Sequence, residues 1–153
     1  MSQKQHGCCQ CGLVQYSLQG DPLFTYACHC GSCQKRTGSA FSLGMVVLTA
    51  SLEVEGELTD WSRTSDEGNT NTRYSCAGCG NIIYGIGSSN PDLAKLQPGT
   101  LSETRHIAPE VHIWVSKKQA WLNLPSAASQ FTTQPDDPTE MLTAALACRV
   151  AKD

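Results

Sequence analysis

Nine cysteines in 153 residues, seven of them gathered into three short runs, constrain this chain more than any other feature. Cys9 and Cys11 form C-x-C, Cys28, Cys30 and Cys33 form C-x-C-x-x-C, and Cys76 and Cys79 form C-x-x-C. An odd total rules out complete intramolecular disulfide pairing. The start, MSQKQHGCCQCG, is polar and has no apolar h-region, so no secretory signal is expected and the chain is read as cytoplasmic. A reducing cytosol disfavours structural disulfides. Short spacings let one tight turn aim two or three thiolates at a single ion, and zinc takes sulfur ligands at about 2.3 Å in a tetrahedron. Gly12, Gly31, Gly78 and Gly80 stand beside or inside the runs and permit the sharp turning. Zinc is therefore the expected cofactor, two ions per chain. The alternatives are metal-free buried or redox cysteines, and an iron–sulfur cluster, whose signatures fit these spacings poorly.

Seven clustered thiols divide as four plus three. Two pairs close one tetrahedral site with every position filled, and the remaining trio holds a second ion with one position open. Closed sites are structural, whereas sites with an open position are the catalytic kind. Cys28, Cys30 and Cys33 lie so close in sequence that they form the natural trio. Cys9 and Cys11 with Cys76 and Cys79 would then make the closed site. A rival partition builds one site from the first two runs and leaves Cys76 and Cys79 elsewhere; spacing alone leaves both open. Cys8 and Cys148 read as spare thiols, since a strand-like backbone points Cys8 away from Cys9 and Cys148 sits in a separate C-terminal segment.

The apolar pattern predicts a mostly β, mostly antiparallel domain. Residues 13–18 alternate, with Val14, Tyr16 and Leu18 on one face. Residues 23–27 read as a strand entering the trio, 31–38 as a turn or helical stub, and 41–48 as a buried strand. Residues 52–56 and 58–62 read as a hairpin turning near Gly56. Residues 72–76 and 82–86 flank the last pair like the arms of a zinc knuckle, and 93–97 and 111–115 are further strands. No helix recurs between strands, which argues against a parallel α/β sheet. Residues 126–138 read as a surface linker. Residues 139–150 read as a short C-terminal helix with Thr139 as N-cap and Met141, Leu142, Ala145 and Leu146 on one side, packed on the core or mediating a homo-oligomer contact. Residues 1–125 are expected to form one zinc-binding domain, with 126–153 an appended linker and helix rather than a second domain.

Charge narrows the partners. The formal net charge is −3 and no basic run is present, so no nucleic-acid partner is expected. No window approaches the roughly 20 apolar residues that cross a bilayer, so no membrane partner is expected either.

The order Gly7 to Gly12 (G-C-C-Q-C-G), Cys28 to Cys33 (C-H-C-G-S-C), Thr37 to Phe41 (T-G-S-A-F), Cys76 to Gly80 (C-A-G-C-G), Pro98 to Leu101 (P-G-T-L) and His112 to Trp114 (H-I-W) resembles the glutathione-dependent formaldehyde-activating enzyme family, also called the CENP-V/GFA domain. The resemblance covers about residues 6–125. It implies a β-tent of antiparallel sheets around zinc. It also implies a structural ion on Cys9, Cys11, Cys76 and Cys79, and a catalytic ion on Cys28, Cys30 and Cys33. The chemistry implied is of the carbon–sulfur lyase type: glutathione plus formaldehyde giving S-(hydroxymethyl)glutathione, and the reverse. Family membership alone does not secure the substrate. The alternatives are a zinc-stabilised binding module without catalysis, and a related enzyme acting on another small electrophile or thiol.

A thiol reaching the open position would lose its proton to become the nucleophile. Alternatively, the ion would polarise the carbonyl oxygen. Three thiolates around a divalent ion leave one net negative charge, which weakens Lewis acidity and raises the importance of positioning. Glutathione carries two carboxylates and needs local cations on this acidic chain. Lys35 and Arg36, directly after Cys33, are the candidate substrate-binding residues, with Arg73 and Arg105 secondary. His29, between two ligands, is expected to point away from the ion. His112 reads as a proton donor, a partner behind the site or a core histidine. His6 and His106 have no supporting pattern. Thr37 and Ser39 either meet substrate or cap the turn after the trio, and Trp114 and Trp121 read as wall or core.

Overall fold

The computed structural model describes residues 3–151. The chain divides into two compact units, one of residues up to Leu23 with Met45–His106, the other of Phe24–Gly44 with residues from Ile107 onward.

The first unit is antiparallel throughout. Strands β1 (Gln5–Cys8), β2 (Gln15–Leu18) and β5 (Leu52–Glu55) form a small sheet in the order β1-β2-β5. Tyr16 lies opposite Gly7, where an added Cβ would meet the Tyr16 ring at 2.3 Å. Only glycine leaves room for that ring, whose hydroxyl bonds the Thr100 hydroxyl at 2.8 Å. β4 spans Ser42–Leu48, and its part from Met45 pairs with β9 (Asn90–Leu96). β9 pairs with β8 (Ile82–Gly87), β8 with β7 (Thr70–Cys76), and β7 with β6 (Leu58–Thr64). Val14, Leu18, Val47, Ile83 and Leu96 are buried, and removing such side chains from water is the main stabilising contribution.

Two features of this unit depart from the sequence reading. The expected hairpin at 52–62 does not form, because β5 pairs with β2 while β6 pairs with β7 in another sheet. At Gly56, φ is +111° and an added Cβ would meet the Leu13 carbonyl oxygen at 2.4 Å. The chain is therefore pressed against the Leu13 segment and passes between sheets instead of folding back on itself. β1 was not expected; its four residues are mostly polar and carry no apolar alternation.

The second unit holds β3 (Phe24–Cys28), helix α1 (Gly31–Thr37), β10 (Val111–Ile113), β11 (Ser129–Gln130) and helix α2 (Thr139–Val150). The strand order is β11-β10-β3, and β10 runs parallel to both neighbours, against the antiparallel trend. A long excursion separates β3 from β10, so no tight turn imposes reversal. β11 lies inside the segment expected to be a linker.

Helix α2 has the expected bounds, and its buried face keeps Met141 and Ala145 but takes Cys148 in place of Leu146. Met141, Ala145 and Cys148 are buried, whereas Leu146 is 49% exposed. Pro138 precedes its first turn and Thr139 is the first helical residue, not the cap; the Asp137 carboxylate accepts from the Thr139 N–H at 2.9 Å and hydroxyl at 2.7 Å. Arg149 pairs with buried Glu110 through two nitrogens, and Glu110 also accepts the Thr25 N–H at 2.9 Å. This ties α2 to β3. Among the described residues, no helix is long and apolar enough to cross a membrane.

Candidate metal centres and active site

In the first unit two knuckles bring four sulfurs together. Cys9-Gln10-Cys11 turns through Gly12 at φ +80°, and Cys76-Ala77-Gly78-Cys79 turns through Gly80 at φ +73°. Backbone bonds close both turns, Gly12 N–H to Cys9 O at 3.1 Å and Gly80 N–H to Cys76 O at 2.9 Å. The Val14 N–H also points at Cys9 Sγ, 3.3 Å away. All four sulfurs of Cys9, Cys11, Cys76 and Cys79 lie within 4.8 Å of one another. Cys9 and Cys11 are 3.5 Å apart, and Cys11 and Cys76 are 3.7 Å apart. Tetrahedral bonds of about 2.3 Å put neighbouring sulfurs about 3.8 Å apart, so this donor set fits a zinc-sized ion. At Gly78 an added Cβ would lie 2.7 Å from Leu13 Cδ1 and 3.6 Å from both Cys11 and Cys76 sulfurs, so a side chain there would press on Leu13 and crowd the cluster.

The protons of these thiols are unevenly held. Burial raises Cys9, but the Val14 N–H and the neighbouring thiols outweigh it and bring the group down to about 6. Cys11 gains from a backbone N–H, yet its sulfur neighbours and burial push it up to about 12. Cys79 is held below its ordinary value by backbone N–H groups. One thiol thus keeps its proton and donates to a thiolate beside it, an arrangement that a cation would displace.

In the second unit the end of β3 and the start of α1 bring Cys28, Cys30 and Cys33 together, again within 4.8 Å. Cys30 caps α1, its sulfur accepting the Cys33 N–H at 3.4 Å. The Cys28 thiol donates to Cys33. This donation holds Cys33 down to about 4, helped by the Ser42 hydroxyl, Cys30 and the Arg36 charge, and pushes Cys28 far up. Among the described residues no fourth Cys, His, Asp or Glu donor joins the three. Three soft sulfurs at this spacing suit the same kind of ion as the quartet.

The segment bearing the trio is clamped at His29. Its N–H donates to Ile113 O at 3.0 Å, and its carbonyl accepts from the Gln34 amide at 2.8 Å. The same amide nitrogen bonds Lys117 O at 3.0 Å. The His29 ring is fully buried and turned away from the sulfur cluster's donor set, with Nε2 3.0 Å from His112 Nδ1. His112 is buried as well, and desolvation with the neighbouring His29 lowers it to about 4. Burial, with the Lys118 charge, lowers His29 as well, so both rings are neutral near pH 7. His29 Nδ1 and His112 Nε2 are buried without a hydrogen-bond partner among the described residues.

Other candidates are sorted by their contacts. Arg36 is half-buried, with a guanidinium nitrogen 4.0 Å from Cys33 Sγ, while Lys35 is exposed on the same helix. Thr37 bonds Cys33 O at 2.9 Å and receives the Ser39 N–H at 3.2 Å, so it closes the turn after the trio. Arg73 stacks on Trp61 in the first unit, and Arg105 is exposed there. Trp114 is half-buried at φ +58°, and Trp121 is 68% exposed, with its indole N–H bonded to Gln119. Cys8 is exposed, and buried Cys148 points at Ala127 O at 3.2 Å.

Tyr26 was missed at the sequence level. It lies two residues before Cys28 on β3, and strand alternation puts the two on one face. Burial and the charges of Cys28, Cys33 and Cys30 hold its phenol above the ordinary value. The Tyr-x-Cys spacing on a predicted strand was the available signal.

Two sulfur clusters of ligand geometry on a mostly β scaffold define a cysteine-rich protein with two candidate metal sites. The sequence pattern of the glutathione-dependent formaldehyde-activating enzyme family matches residues 4–117, and the chain belongs to that family. A curated protein of Emericella nidulans, named provisionally as a glutathione-dependent formaldehyde-activating enzyme, is 35% identical over 77 residues. That match covers 50% of this chain and 39% of the relative, so the chain spans about two fifths of the relative's length. A crystal structure of a Rhodobacter sphaeroides protein shares the fold, with a TM-score of 0.51 and 20% identity, over 68% of this chain and 91% of that one.

Proposed function

We propose that the protein joins a thiol to a small aldehyde at the Cys28, Cys30, Cys33 cluster, forming S-(hydroxymethyl)glutathione from glutathione and formaldehyde and running the reverse. The supporting observation is a three-sulfur cluster separate from a four-sulfur cluster, in a chain of this family. In this reading Cys9, Cys11, Cys76 and Cys79 hold a structural zinc and the trio holds the catalytic one. When bound, zinc at the trio supplies the positive charge that favours a substrate's thiolate over its thiol. The sulfur bonds to the carbonyl carbon, the π pair moves to oxygen, and oxygen takes a proton from water. This proton replaces the one the thiol released. Arg36 beside Cys33 and neighbouring Lys35 attract the carboxylates of glutathione. Those cations are needed because the chain already carries −3, and thiolate-bound zinc adds further negative charge.

The test combines metal quantification with an assay of glutathione plus formaldehyde. Two zinc ions per chain and turnover are expected, and replacing both Lys35 and Arg36 by alanine raises KM for glutathione about tenfold or more. A protein carrying both ions without turnover would replace this reading with that of a zinc-stabilised binding module. An unchanged KM would remove the two cations from the site.

A further inference from the structure

Adding a thiolate to a carbonyl moves a full negative charge onto the carbonyl oxygen. Charge appearing in a transition state is best met by a fixed donor already aimed at it. The trio offers little help, since three thiolates around a divalent ion leave the cluster anionic. A donor must come from the surrounding side chains.

The hydroxyls around the trio are mostly committed. Ser42 is buried and bonds Cys33. The Thr37 hydroxyl is spent on the Cys33 and Phe41 carbonyls, at 2.9 and 3.4 Å. Tyr26 differs. It is half-buried and shares the Cys28 face of β3. Its hydroxyl makes no hydrogen bond to another described residue. Its position is also built. The ring lies over Gly44, where an added Cβ would fall 2.5 Å from Tyr26 Cζ and 2.6 Å from its hydroxyl oxygen. Phe24 backs it, with ring centroids 6.2 Å apart.

We infer that the Tyr26 hydroxyl is a substrate-facing hydrogen-bond donor to the oxygen that becomes the hydroxyl of the thiol–aldehyde adduct, with Gly44 keeping the space the ring occupies. Tyr26 keeps its proton throughout; the adduct's proton comes from water. This inference rests on the proposed reaction and adds the residue that recognises the oxygen end of the substrate. It also predicts selectivity: adducts carrying a hydroxyl bind better than those carrying only a methyl.

The decisive comparison is zinc-loaded wild type against Tyr26→Phe, which keeps the ring and removes the donor. Zinc content and melting temperature should match. kcat should fall about 100-fold, with KM for glutathione unchanged. A second readout needs no turnover: calorimetric binding of S-(2-hydroxyethyl)glutathione against S-ethylglutathione. Wild type should prefer the hydroxyl compound and Tyr26→Phe should lose that preference. Gly44→Ala, which drives the ring aside, should reproduce the loss. Equal kcat, or the same preference in both proteins, would overturn the role of Tyr26. A wild type that prefers the hydroxyl ligand but does not turn over formaldehyde would sink the proposed reaction and leave Tyr26 as the recognising donor.

Discussion

The two cysteine clusters use one element in two ways. In the first unit, four sulfurs come from two knuckles far apart in sequence, each closed by a left-handed glycine, and the ligand set is complete. In the second, three sulfurs come from a single stretch running from a strand end into a short helix. A cation at the quartet cross-links distant segments, so its binding energy becomes folding energy. A cation at the trio bridges residues already near one another and held by His29, so its loss removes little from the fold. If the proposed division holds, completeness and sequence separation, more than ligand chemistry, separate the stabilising site from the reactive one.

The largest expected effect tests this contrast directly. Cys76→Ser should lose the quartet's metal and melt tens of degrees lower, since metal sites of this kind contribute ~10 kcal/mol at roughly 3 °C per kcal/mol. Cys30→Ser should lose one metal and activity while its melting temperature moves only a few degrees. Elemental analysis beside thermal unfolding checks both, and equal destabilisation would erase the distinction.

A smaller effect concerns what holds the second unit without metal. Arg149→Ala leaves buried Glu110 with the Thr25 N–H as its remaining partner among those described above. A destabilisation of about 1–3 kcal/mol is expected by denaturant unfolding, with the quartet's metal retained.

The smallest effect is a pH slope. His112 sits at about 4 in the folded chain against an ordinary 6.5, so between these values the unfolded chain binds a proton the folded chain refuses. Stability therefore falls as pH drops from 6.5 toward 4. His112→Gln should remove up to about one proton from that slope. Identical slopes would show that His112 is not neutral in the fold.

Much of the scaffold was readable from local pattern. The strands at Phe24–Cys28 and Ser42–Leu48 and the helix at Thr139–Val150 follow from apolar runs and helix formers. The partition of the cysteines was an expectation: spacing left a rival open, and the family resemblance favoured four plus three. The buried face of α2 was misread at Leu146, because Met141, Ala145 and Cys148 follow the i, i+4, i+7 stripe of one helix face and Leu146 lies about 100° round from Ala145. Tyr26 was passed over because a tyrosine in a strand reads as wall until its neighbours are known.

What the sequence alone determined is local: which residues carry sulfur, how tightly they are spaced, and where the chain turns at glycine. Those follow from spacing and backbone freedom, which need no distant partner. Only the tertiary structure decided that Cys9 and Cys11 meet Cys76 and Cys79, that the 52–62 stretch splits between sheets, and that Tyr26 stands over Gly44 on the Cys28 face. Each of these depends on contacts between residues remote along the chain, where packing and cross-strand register override local preference.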